Sequence, residues 1–295
     1  MNSTLEFSVF VEEKTRLDAY LCDVLKLSRR QARNYCENNL VRVNRKPSRS
    51  GIVLKEKDII CIEQSIEAVI PGQIASNIKL EVVFKNEDFI ILNKPIKTHC
   101  VRLKNTDDET IADWLAINFP QTLHASKDIR ESGLVNRLDY YTSGITIAAN
   151  SALAWEELRA DKYMLKTYIA LVEGCPRAQT IEAALENKSN SRVQISTKEN
   201  IRTTELVSAK QSKFNNSIYS LVKLQGHTFS RHQIRVHLSH IGNPLVGDEM
   251  YGGKRSNILG RSGFFLHSEN LKFEFKDELF NFSAESDELK ALLAK

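Results

Sequence analysis

At 295 residues with a formal net charge of +4, the chain is long enough for one large domain and a small one, each able to bury a core without cross-links. Its five cysteines, Cys22, Cys36, Cys61, Cys100 and Cys175, are scattered with no Cys-x-x-Cys pair, which argues against a disulfide scaffold, a zinc knuckle or a redox motif and for reduced thiols. No basic start leads into a long apolar run and no stretch of about 18 uncharged apolar residues occurs, so a soluble cytoplasmic protein is expected, without a membrane segment.

The charge is unevenly placed. Residues 14–57 hold 12 Lys and Arg against 4 Asp and Glu, leaving 29 against 33 elsewhere; such an asymmetry is the footprint of a nucleic-acid-binding appendage as well as of a solvated basic face. In that segment Leu17, Tyr20, Leu21, Val24 and Leu25 share one face at helical spacing. Ser28 then suits an N-cap for a second helix whose stripe is Ala32, Tyr35 and Cys36 and whose outside carries Arg29, Arg30 and Arg33. Asn39 can take the left-handed conformation that ends it. LVRVN alternates as a strand, Lys46, Pro47 and Ser48 make a turn, and IVLKEKDIICIE reads as further strand. RLDAYL, LSRRQAR, LVRVNRKP and KEKDII together resemble the RNA-binding module first known in ribosomal protein S-four, over residues 16–63. By that resemblance Arg16, Arg29, Arg30, Arg33 and Lys46 are expected on an RNA-binding face. Asn39 and Arg45 stand where the family has glycine; asparagine tolerates positive φ, whereas Arg45 implies a different turn type.

Residues 64–77 contain Pro71 and Gly72 without periodicity and read as a linker, so the chain divides into a module at 1–63, this linker and a larger domain at 78–295. KLEVVFKNEDFIILNKP gives two strands around an Asn86-Glu87-Asp88 turn, and TIADWLAINF a helix capped near Asp108 or Thr110. LVNRL and ITIAAN are expected as strands on either side of DYYTSG, Ser151 as the cap of the helix SALAWEELRADK, and KTYIALVEG and NSIYSLVKLQ as strands. HQIRVHLSHIG reads as a helix ended by Gly242. Strands outnumber helices in mixed order, which predicts an α+β fold with a mostly antiparallel sheet, flanking helices and a small N-terminal α+β module.

In NRLDYYTSGITIAAN, a carboxylate follows an apolar strand end and precedes a turn of small residues, which would project Asp139 from a rigid strand into a cleft, with Thr142, Ser143 and Gly144 turning tightly and offering N–H donors. Read alone, the segment equally suits an aspartate satisfying its own Asx turn. It resembles the His-Arg-Leu-Asp-x-x-Thr-Ser-Gly motif of the RluA-type pseudouridine synthases. NKP at 93–95, LKTYIALVEG at 165–174, HQIRVHLSHIGNPLVGDEMYGG at 232–253 and FLHSENL at 265–271 match in the family's order. The resemblance implies an isomerase that needs no cofactor, detaching uracil from ribose and rejoining it through carbon, with Asp139 as catalytic aspartate, Tyr168 as active-site tyrosine and Arg235 as the arginine paired with the aspartate. Asp139 would attack the anomeric carbon or the uracil ring, or remove a proton on a glycal route. Arg235 would keep it ionised once the base dries the site, and Tyr168 would offer a flat face and a hydroxyl as proton acceptor or donor. Outside the resemblance, Tyr168 fits a core strand position and Arg235 a surface helix position.

A uracil in structured RNA must be flipped out, and Arg137, on the same expected strand as Asp139, has the reach to fill the gap or grip a phosphate. Lys94 fits a phosphate contact or a solvated strand end. His227, His232, His237 and His240 lie within a short span but lack a carboxylate or cysteine at fitting spacing, so helix packing or RNA contact is favoured over a metal. Asn136 replaces the family's histidine, and Ser230 replaces the first arginine of its Gly-Arg-Thr-His-Gln-Ile-Arg run, with Arg231 one position later pointing about 100° away on a helix. The leading reading is a monomeric RNA pseudouridine synthase acting on ribosomal RNA, with transfer RNA as the other substrate. Against it stand a catalytically silent RNA-binding or ribosome-assembly factor of the same fold, and a glycosidic hydrolase, which needs a second carboxylate that the motif does not supply.

Overall fold

The computed structural model describes residues 3–8, 15–24, 29–37, 39–64, 78–102, 109–188, 192–197, 201–214, 217–255 and 257–293. The chain divides into two compact units, Met1–Val69 and Ile70–Lys295. No helix among the described residues is long and apolar enough to cross a membrane.

The first unit contains β1 (Ser3–Ser8), α1 (Leu17–Val24), α2 (Arg29–Glu37), β2 (Val41–Val43), β3 (Lys46–Pro47) and β4 (Ile59–Gln64), with an antiparallel sheet in the order β1-β4-β2-β3. Leu17 and Leu21 of α1, one turn apart, meet Ala32 and Cys36 of α2 and Val41, Ile60 and Ile62 of the sheet in one buried cluster. Leu25, Ser28 and Asp108 lie outside the described residues, as does the expected linker beyond Gln64. Asn39 does adopt a left-handed φ of 58°. The turn at Arg45 corrects the expectation of a changed type: Asn44 and Arg45 both have positive φ, 52° and 66°, between paired Val43 and Lys46, the signature of a primed two-residue hairpin. Asn44 offsets the strain by donating to Asp58 Oδ1 at 2.8 Å and accepting from the Ile59 amide at 2.9 Å.

The second unit runs β5 (Glu81–Lys85), β6 (Phe89–Lys94), α3 (Ile111–Asn118), β7 (Thr142–Ala149), α4 (Ala152–Ala160), β8 (Leu165–Glu173), β9 (Gln179–Asn187), β10 (Val193–Ser196), β11 (Ile201–Phe214), β12 (Ser217–Gly226), α5 (Gln233–His240), β13 (Leu266–Phe275), β14 (Glu278–Ser283) and α6 (Asp287–Leu293). Its sheet follows the order β10-β9-β11-β12-β8-β13-β7-β6-β5, with β14 also on β13. Among these strands the pairings are antiparallel except β7 with β13, where Leu266–Ser268 lie parallel to Thr142–Gly144. The run Phe89-Ile90-Ile91-Leu92 is apolar throughout because β6 is buried on both faces: Ile90 and Leu92 join one core and Phe89 and Ile91 the other. Local caps fix the helices. Thr110 and Asp113 form a reciprocal capping box on α3, and Ser151 accepts the Ala154 amide at the start of α4.

One expected strand is absent. LVNRL contributes a single bridge, Leu134 to Ala148, because the Asn136 side chain takes the next rung, its Oδ1 accepting from the Ile147 amide at 3.1 Å and from Thr146 Oγ1 at 3.2 Å. Thr142, Ser143 and Gly144, expected in a turn, instead open β7.

Candidate active site

Asp139 is carried by an irregular loop just before β7, where the sheet changes from parallel to antiparallel neighbours. Three restraints hold that loop. The Cys100 thiol accepts the Leu138 amide at 3.2 Å and donates to the Leu138 carbonyl at 3.4 Å, the Thr142 amide donates to the Asp139 carbonyl at 3.0 Å, and Asn136 is tied to β7 as described. Burial pushes the Cys100 thiol up, so it serves as a neutral hydrogen-bonding clamp. Gly144 permits the underlying approach: at φ +105° a Cβ there would lie 2.2 Å from the Ser268 carbonyl oxygen.

Arg235, from α5, reaches Asp139 with Nη1 donating to Oδ2 at 2.9 Å. Its other edge is occupied by Asp248, which accepts from Nε at 2.7 Å and from Nη2 at 2.9 Å. The guanidinium lies 4.8 Å from the Tyr251 ring centroid and 4.6 Å from that of Phe264. Burial works against the charge of Arg235, and the ion pairs with Asp248 and Asp139 outweigh it, so its pKa is raised. An arginine so placed is a fixed, desolvated counter-charge.

Tyr168, on β8 beside Ser268 of β13, is buried with its ring edge-to-face at 5.1 Å from Phe229. Burial pushes its phenol well above the ordinary value, offset in part by a hydrogen bond with Ser268 and reinforced by the Asp139 charge. Before substrate enters, Tyr168 is thus held as a neutral phenol. His232 begins α5 in a left-handed conformation, with Nε2 3.8 Å from Asp139 Oδ1 and Nδ1 2.8 Å from the Tyr251 hydroxyl.

The remaining expected residues separate. Lys94 is neither a phosphate contact nor a solvated strand end: it is fully buried, and Nζ donates to the Pro95 and Thr98 carbonyls at 2.9 Å each. Burial, partly offset by nearby Cys100 and Asp139, pushes it down to about 8. Arg137 is exposed on the loop rather than on a strand, 3.4 Å from Glu131. Arg29, Arg33 and Lys46 are exposed in the first unit. Arg16 is bound to Asp18 at 2.8 Å, with Arg33 at 3.7 Å from the same carboxylate; the Arg30 side chain lies outside the described residues. Ser230 and Gln233 close the start of α5, the Ser230 amide and hydroxyl both donating to Gln233 Oε1, and Arg231 is exposed. His237 is buried with Nδ1 2.9 Å from Thr204 Oγ1. Among the described residues no group of three or more His, Cys, Asp or Glu is placed to hold a metal. Sequence reading missed Asp248, Tyr251, Cys100 and the nearness of His232 to Asp139; the Gly-Asp and Met-Tyr-Gly of the matched stretch were the available signal.

Residues 88–240 match the family described as RNA pseudouridylate synthase. The chain is 28% identical over 280 residues to an uncharacterized RNA pseudouridine synthase of Helicobacter pylori, covering 90% of this chain and 84% of that one. It is 28% identical over 283 residues to the ribosomal large subunit pseudouridine synthase D of Borreliella burgdorferi, covering 91% and 85%. Among solved structures, human RNA pseudouridylate synthase domain containing 1 superposes with a TM-score of 0.55 at 25% identity, covering 72% of this chain and 86% of that one.

Proposed function

We propose, from the premise that this chain belongs to the RNA pseudouridylate synthase family and is an isomerase acting on RNA, that its substrate is uridine in ribosomal RNA and its catalytic carboxylate is Asp139. The ribosomal substrate is supported by the name of the Borreliella relative and by the basic first unit, which we assign to the ribosomal-protein S-four-like type of RNA-binding module; the reaction then belongs to the cytoplasm. The observation that carries the site assignment is the Arg235 guanidinium held between Asp139 and Asp248.

In the reaction the bond between the anomeric carbon and uracil N1 breaks, the ring turns, and a bond forms from the same carbon to C5, which gives up its proton while N1 gains one. Asp139 acts on the sugar or base, with the Arg235 guanidinium as the fixed positive charge beside it as the base displaces water. Tyr168 and Phe229 give the base an apolar wall. Arg137, exposed two residues before Asp139, contacts the RNA around the flipped nucleotide. Asp248 is bound along its carboxylate by Arg235 and so does not supply the free second carboxylate that hydrolysis needs.

The test is to map pseudouridines in total RNA incubated with the protein. Wild type modifies ribosomal RNA and Asp139→Asn does not. Wild-type inactivity on every RNA would favour the silent binding factor, and an active Asp139→Asn would overturn the assignment.

A further inference from the structure

Beyond the pair of Asp139 and Arg235, we propose that His232 is a positioning residue for Asp139, a neutral imidazole that presents its Nε2–H to Oδ1 while Arg235 holds Oδ2. The inference rests on the reading of Asp139 as the catalytic carboxylate. Three observations lead to it.

The first is backbone strain. His232 is the N-cap of α5 at φ 56° and ψ 11°, yet its side chain makes no capping hydrogen bond. A left-handed conformation is strained at a residue with a Cβ; glycine would avoid that strain. What the conformation achieves is to send the ring toward Asp139 one turn before Arg235.

The second is the direction of the protons. The Tyr251 hydroxyl accepts the Val193 amide at 3.0 Å and lies 2.8 Å from His232 Nδ1. An amide can only donate, so the phenol proton remains to be placed, and no acceptor other than Nδ1 meets it among the described residues. With the phenol donating to Nδ1, the proton of a neutral ring sits on Nε2. Burial pushes the imidazole down to about 4, against the pull of Asp139, which keeps the ring neutral at working pH.

The third is what faces Nε2. Asp139 Oδ1 lies 3.8 Å away, while Oδ2 is already held by Arg235 at 2.9 Å. A carboxylate fixed through one oxygen can still turn about its Cβ–Cγ bond. A donor at the other oxygen stops that rotation after a closure of about 1 Å, a tightening of the kind that active sites make on binding substrate.

Asn and Gln separate the two ring nitrogens. His232→Asn suits the left-handed backbone and places an amide oxygen near Nδ1 to meet Tyr251, with nothing at Nε2; His232→Gln carries an N–H to the Nε2 position. We expect His232→Asn to keep its melting temperature and RNA Kd within about twofold while kcat falls about 10- to 100-fold, and His232→Gln to recover part of that loss. Nitrogen NMR should show that the histidine signals lost in both variants, those of His232, belong to a ring with a bare Nδ1 and a protonated Nε2. Unchanged kcat in His232→Asn, equal impairment of the two variants, or a protonated Nδ1 would overturn the proposal. Turnover retained by Asp139→Asn would instead remove the reading of Asp139 itself, so the two failures are told apart.

Discussion

Replacing Asp248 by Asn tests whether Arg235 is held from behind. Asp248 is 2% exposed and Arg235 6%, and their two hydrogen bonds at 2.7 and 2.9 Å run side by side from Nε and Nη2. Asparagine keeps one acceptor and turns an NH2 against the second guanidinium N–H. Leaving a buried charge unpaired costs about 3–5 kcal/mol; because Asp139 still neutralises Nη1, about 2–4 kcal/mol is expected in chemical denaturation. The Tyr251 and Phe264 rings flank the guanidinium and resist its displacement toward either of them, but they leave it free to swivel in its own plane. A swivel of about 1 Å at Nη1 lowers kcat by about 100-fold, or ~2.7 kcal/mol in the barrier. Tritium release from uracil C5 in a structured RNA reads kcat and KM separately, and KM should move little. Asp248→Asn with kcat within about twofold of wild type would refute the idea that this carboxylate sets the position of Arg235.

Lys94→Met gives a pH signature of known sign. The unfolded chain holds the Lys94 proton up to the ordinary 10.5 while the folded protein releases it near 8; between those values the unfolded state binds more protons, so wild-type stability rises with pH. The difference in unfolding free energy between wild type and variant should therefore grow by up to ~3 kcal/mol from about pH 8 to pH 10.5; a difference independent of pH would contradict the burial of Lys94. Changing Arg29, Arg33 and Lys46 to Glu should flatten the salt dependence of RNA binding by about 2 in log–log slope, at roughly 0.7 for each phosphate no longer neutralised, with kcat at saturating RNA unchanged; an unaltered slope in a salt titration would remove these residues from the RNA-binding face. Gly144→Ala should destabilise the fold by about 3 kcal/mol or more, since its Cβ would meet the Ser268 backbone; a wild-type denaturation midpoint would show that β7 and β13 can separate there.

Local chemistry was legible in the sequence and long-range burial was not. The cap at Ser151, the cap at Thr110 as one of two candidates, and the Asn86–Asp88 turn depend on neighbours within a few residues, and all three are read from the chain directly. The strand β11 went unread because it has several exposed residues in succession, so no alternation marks it. LVNRL misled through its apolar residues: Leu134 and Val135 are buried, but a side-chain oxygen of Asn136 replaces the rung that would have continued the strand, and a residue pattern does not distinguish main-chain from side-chain acceptors. Lys94 misled for a related reason, since a lysine before proline looks solvated until the carbonyls of Pro95 and Thr98 are seen to close over it. Asp139 and Arg235 were readable as a pair from motif order; Asp248, 13 residues beyond Arg235, needed the fold.

The loop also explains why the carboxylate sits where it does. Along a regular strand, alternate side chains enter the core, and Asp139 would follow buried Leu138 as an outward-facing residue with no wall around it. Pinned instead by a thiol, an asparagine and a turn, the loop delivers Asp139 with its side chain 24% exposed beside Arg235 at 7%, Asp248 at 2% and His232 at 10%. Among these four, the carboxylate is the group that solvent reaches most. On the function proposed above, a base would approach Asp139 from its solvent-reached side, with the buried Arg235 guanidinium already hydrogen-bonded to Oδ2.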